Sequence, residues 1–118
     1  MAHRVEVWAS SDIKPAATPT DVQVMQVAAT DHQENDQWVE VILNSPLRLE
    51  KGEYLFVGIE MAGSHPDVAC MLMCLEVDEF ADRNYWSNAT SAPYSWAKLS
   101  TYAIPGNIVL EAYGQVVK

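Results

Sequence analysis

Two cysteines, Cys70 and Cys74, are all that the chain offers for disulfide or thiolate chemistry. On one extended strand their Cα atoms would lie about 13 Å apart, well beyond the roughly 4.4–6.8 Å that a disulfide spans. They read as buried free thiols, and C-x3-C without a second ligand pair lacks the spacing of a zinc site. Basic residues are also scarce, 7 against 16 acidic ones, which leaves a formal charge of -9. Such a field repels phosphate backbones and anionic lipid, so neither nucleic acid nor a membrane surface is an expected partner. No apolar run approaches the roughly 20 residues that cross a bilayer. The opening MAHRVEV carries no apolar h-region and passes directly into strand-like alternation, so no signal peptide is expected.

Catalytic patterns are missing as well. There is no nucleophile elbow, phosphate-binding loop or histidine-based motif. His3, His32 and His65 stand far apart, with no carboxylate or cysteine partners at ligand spacing, and no metal or cofactor is expected. Asp31, Glu34 and Asp36, or Asp78, Glu79 and Asp82, could supply oxygens to calcium. Neither group matches an EF-hand loop, and in so acidic a chain both read as solvated loops. Asn88-Ala89-Thr90 matches a glycosylation sequon, a three-residue pattern that recurs by chance.

What is present suits one globular domain over residues 1–118: 49% hydrophobic and 19% charged residues, without repeats or linkers. Residues 52–61, GEYLFVGIEM, organise the rest. Leu55, Val57, Ile59 and Met61 share one parity and Tyr54, Phe56, Gly58 and Glu60 the other, so an aliphatic row and an aromatic-acidic row lie on the two faces of one sheet. Residues 3–9 alternate in the same way, with Val5 and Val7 opposite Arg4, Glu6 and Trp8. Residues 21–28 set Val22 and Val24 against Gln23 and Met25, and residues 37–43 set Val39, Val41 and Leu43 against Trp38, Glu40 and Ile42. Pro46 ends that strand, Leu47 and Leu49 form a short edge piece, and Lys51-Gly52 is a turn. Residues 68–77 are apolar on both parities except Glu76, as in a strand covered on both sides. Their Ala, Met and Leu content also allows a helix opening near Pro66. Residues 83–105 read as a long loop packed by its own aromatics, and residues 107–117 as a closing strand with Ile108, Leu110 and Ala112 opposite Val109, Glu111 and Tyr113.

Taken together, VEVWAS, QWVEVILNSPLRLEKGEYLFVGIEM, YWSN and YSWAKLSTYAIPGNIVLEAYG resemble the jelly-roll accessory domains of bacterial exported peptidases, adhesins and polysaccharide-degrading proteins, the cleaved-adhesin type among them. The resemblance covers about two-thirds of the chain. It implies an all-β, two-sheet antiparallel sandwich, an extracellular setting, and binding of sugar or protein without catalysis. The Cys-Met run of residues 70–74 departs from that pattern.

Parity sorting collects Trp8, Trp38, Tyr54, Phe56 and Tyr113 on the non-aliphatic face, with Glu6, Glu40, Glu60 and Glu111 among them. Flat rings between carboxylates offer stacking surfaces for sugar rings and acceptors for their hydroxyls. The expected ligand residues are therefore Glu6, Trp8, Trp38, Glu40, Tyr54, Phe56, Glu60 and Tyr113, with Trp8 and Trp38 partly exposed on one sheet. Three plainer readings stand beside this one: a solvated sheet face with cross-strand aromatic pairs, a homo-oligomer closed through that face, and a pair of glutamates acting as acid and base. The last is weak, because neighbouring strands place carboxylates at such distances readily. Tyr85, Trp86, Tyr94, Trp96 and Tyr102 read as a plug at the end of the sandwich.

Overall fold

The computed structural model describes residues 3–27, 38–60, 63–64, 67–68, 73–74, 81–102, 104 and 106–116. Among these residues strand dominates, and every ladder is antiparallel. Three long strands, β1 (His3–Ser10), β2 (Gln23–Val27) and β3 (Tyr54–Glu60), form one sheet in the order β2-β1-β3. Six strands of two residues each make three further ladders. These are β4 (Gly63–Ser64) with β5 (Asp67–Val68), β6 (Met73–Cys74) with β9 (Asn107–Ile108), and β7 (Tyr85–Trp86) with β8 (Ala97–Lys98). Ala81–Arg83 and Leu99–Tyr102 are short 3-10 turns.

β1 is central, pairing with β2 along one edge and β3 along the other. Val5 and Val7 are buried and meet Met25 and Val27 of β2, while Val57 and Ile59 of β3 pack beside them. Each such side chain, once removed from water, contributes roughly 1.5–3 kcal/mol. Val39, Val41, Leu43 and Leu47 close over this aliphatic face, and the residues between them, Trp38, Glu40 and Ile42, point outward and are exposed. Burial therefore follows the expected period of two over residues 38–43. These residues nevertheless form no strand: they cover the sheet through side chains, without a backbone ladder.

In β2 the expected parity is corrected. Met25 and Val27 face the core, whereas Val24 is 38% exposed. The register of β1 on β2 pairs Val5 with Met25 and Glu6 with Val24, and residues directly opposite one another share a face. Gly52 serves the turn into β3, as expected. It has φ +89°, in the left-handed region, and Glu53 N donates to Glu50 O at 3.0 Å across it.

Two other expectations are altered. The stretch 68–77 contributes to two separate ladders, Val68 to the pair with β4 and Met73–Cys74 to the pair with β9. Its described residues are extended, and Cys70 lies outside the described residues, as do His32, His65, Asp31, Glu34, Asp36, Asp78 and Glu79. The closing strand is short. Among the described residues only Asn107–Ile108 of this stretch pairs, and residues 109–116 are assigned to no element.

Candidate functional site

On the face of the sheet opposite the aliphatic core, the β1–β3 register sets Trp8 against Phe56, Glu6 against Gly58, Arg4 against Glu60 and Ser10 against Tyr54. Two-residue periodicity predicts this grouping, and the structure brings Glu6, Trp8, Tyr54, Phe56 and Glu60 together as expected. Trp8 itself is a correction, since only 3% of its surface is exposed. Its ring stacks on Phe56, with centroids 5.5 Å apart and planes 13° from parallel, and on Trp96, at 6.3 Å and 26°. It also lies across Gly58, where a Cβ would stand 3.3 Å from Trp8 Cζ3. The missing side chain is the notch that lets the indole lie flat against the sheet. Among the described residues no partner accepts from the buried Trp8 Nε1.

Trp96 and Tyr94 are the roof. They come from the long aromatic loop, which covers the face of the sheet where a plug at its end was expected. Trp96 Nε1 donates to Ala16 O at 3.0 Å and Tyr94 N to Ala17 O at 2.7 Å, tying residues 94–96 to the loop that follows β1. Ser87 Oγ accepts from both Ala89 N and Ser95 N, each at 3.2 Å, and holds the aromatic loop to itself. Tyr94 packs at 5.0 Å on Trp96, tilted by 34°. Phe56, Trp8, Trp96 and Tyr94 are thus linked in one chain of ring contacts running from the sheet to the surface.

Beside Tyr94 and Trp96 an open cleft of about 450 Å³ is bounded by Asp12, Lys14, Ser95 and residues 15–17. It combines two aromatic faces with a carboxylate, an ammonium and a hydroxyl. Asp12 Oδ1 accepts from Lys14 N at 3.0 Å, which fixes the loop carrying both charges. Arg4 and Glu60 form an ion pair on the same sheet face, and this contact holds the Arg4 guanidinium above its ordinary range. Burial raises the Tyr94 phenol above its usual pKa, and the negative charges of Glu6 and Glu60 push it further in the same direction. The carboxylates of the face therefore act on the aromatic roof.

The remaining expected ligand residues lie elsewhere. Trp38 is 66% exposed and, with Glu40, projects outward from the layer covering the aliphatic face, on the opposite side of the sheet from Trp8. Tyr113 is 90% exposed, donates its hydroxyl hydrogen bond to Glu111, and feels the charge of Glu40. The expected single face of eight residues is two groups: Glu6, Trp8, Tyr54, Phe56 and Glu60 on the sheet face that carries the roof, and Trp38, Glu40 and Tyr113 away from it.

No family model, curated protein or solved structure matches the chain. What can be said of the site rests on its own geometry. Tyr94, Trp96, Asp12 and Lys14 were not among the expected ligand residues. Their signal is an aromatic pair in a Ser- and Pro-rich loop, and nothing in its spacing says which surface it covers.

The Tyr94 environment predicts an alkaline effect on stability. A phenol whose pKa is higher in the folded state than in the unfolded chain contributes stability that is fully present below the unfolded value near 10 and is lost as pH rises through the folded value. Melting temperature should fall through that window, and less steeply in Tyr94→Phe. Equal slopes for the two proteins would show that Tyr94 is not the group responsible.

Proposed function

We propose that the chain is a non-catalytic binding module that recognises carbohydrate at the Tyr94–Trp96 end of the aromatic-acidic face. The supporting observation is the chain of stacked rings from Phe56 to Tyr94 beside an open cleft holding Asp12, Lys14 and Ser95. A sugar ring places its C–H face on an aromatic side chain and its hydroxyls on nearby charged and hydroxyl groups. In this reading Trp8 is the foundation of the platform, and Glu6 and Glu60 set the charge beside it. The same reading takes the architecture to be a jelly-roll-like sandwich, in which residues 38–47 belong to the second layer. Support for that comes from the resemblance in sequence and from the packing of Val39, Val41, Leu43 and Leu47 over the aliphatic face.

A glycan array followed by calorimetry tests the function. Tyr94→Ala should weaken binding about two- to tenfold, the loss of a ring contact of roughly 0.5–1.5 kcal/mol. Trp38→Ala should leave both binding and stability unchanged. Wild-type protein that binds nothing on a broad array overturns the reading, and weakening by Trp38→Ala in place of Tyr94→Ala relocates the site.

A further inference from the structure

Asn44 and Ser45 are fastened to β2 by three hydrogen bonds. The Gln23 carboxamide lies against the Ser45 backbone as a strand neighbour would: Ser45 N donates to Gln23 Oε1 at 3.2 Å, and Gln23 Nε2 donates to Ser45 O at 2.9 Å. Reversing the amide would set donor on donor and acceptor on acceptor, so the contact fixes its orientation. Beside it, Asn44 Nδ2 donates to Val24 O at 3.0 Å.

Two of these donors, Ser45 N and Asn44 Nδ2, are the nucleophile and the leaving group of asparagine deamidation. In that reaction Ser45 N gives up its proton and bonds to Asn44 Cγ, the Cγ–Nδ2 bond breaks, and ammonia leaves with the proton. Water then opens the cyclic imide to aspartate or isoaspartate. Sequence makes Asn44 the most reactive of the five asparagines. Ser45 is small, so the attack is uncrowded, and its hydroxyl draws electron density from the N–H that must be lost. Tyr85 and Ile108 crowd Asn84 and Asn107, Ala89 after Asn88 lacks the hydroxyl, and the carboxylate of Asp36 after Asn35 opposes loss of a nearby proton.

We infer that Asn44 is a site of spontaneous deamidation and that Gln23 restrains it. Ring closure must give up the bond to Gln23, because its proton is lost, and the bond to Val24, because its donor departs. Gln23 is thus a positioning residue that favours the unreacted amide. The product does not restore the fastening, since its carboxylate faces Val24 O as acceptor against acceptor. Modification therefore loosens the segment that lays Val41, Leu43 and Leu47 on the core.

Incubation of the full chain at neutral pH, followed by peptide mapping with mass spectrometry, tests this. Aspartate and isoaspartate should accumulate at position 44 before any other asparagine reacts. In Gln23→Ala the folded protein should react about two- to tenfold faster, the factor for one net hydrogen bond. In urea the two proteins should react equally, and faster than the folded wild type. Gly58→Val weakens the fold from the other face of the sheet and should leave the rate at Asn44 as in wild type. Equal rates for folded wild type and Gln23→Ala overturn the proposal. So does an acceleration by Gly58→Val as large as that by Gln23→Ala, which would route the reaction through global unfolding, or earlier reaction at another asparagine. Asn44→Asp reproduces the product and should melt below wild type, and an unchanged melting temperature overturns the loosening.

Discussion

Trp8→Ala is expected to destabilise the protein by about 3–5 kcal/mol, the range for truncating a buried tryptophan or phenylalanine. The side chain is buried, has Phe56 on one ring contact and Trp96 on another, and lies over Gly58, so its removal leaves a void bounded by sheet and roof. Against the 5–15 kcal/mol typical of a domain, such a loss is on the order of half the total. Urea unfolding measures it. Trp8→Phe should cost clearly less, because it keeps an aromatic ring and removes an indole N–H that is buried without a partner among the described residues, a group whose desolvation costs about 1–3 kcal/mol. A loss below about 1 kcal/mol for Trp8→Ala would mean that the roof does not close over Trp8 in solution, since exposed substitutions usually stay near 0.5 kcal/mol.

The second large effect is at Gly58. A Cβ there would stand 3.3 Å from Trp8 Cζ3 and 3.6 Å from Cη2, and the two methyl groups of valine reach further into the same ring. Gly58→Val should therefore cost about 1–3 kcal/mol by overpacking, although valine is the better strand former. The origin of the loss is open to a double-mutant cycle. In the Trp8→Ala background the clash partner is gone, so Gly58→Val should become neutral or stabilising, and the two changes should be far from additive. Additive losses would place the strain in the β3 backbone, away from the indole.

The ring stack also changes what the aromatic-acidic face is for. A row of Trp, Phe and Tyr with Glu between them reads equally well as open platform or as floor beneath another layer, and Trp8 is floor. What the face presents to solvent is Tyr94, part of Trp96 and Tyr54, with the Arg4–Glu60 pair and Glu6 at its acidic end. A ligand site built this way has a rigid base, because its innermost ring is packed on the sheet and its outer rings are tied to the backbone of Ala16 and Ala17.

Local sequence by itself determined the faces of β1 and β3. There the aliphatic side chains fall on one parity, and a strand has only two faces between which to divide them. The turn at Gly52 and the outward direction of Trp38 and Glu40 followed from equally local rules. In β2 the same rule failed, because Val22, Val24, Met25 and Val27 occupy both parities, and only the register against Val5 decides that Met25 and Val27 go inward. Tertiary structure alone decided that Trp8 is buried. Its cover comes from Trp96, fixed by a hydrogen bond to Ala16 some 80 residues earlier in the chain. Periodicity sorts side chains between the faces of a strand but carries no information about what later packs on each face, so the choice between platform and floor belonged to the fold.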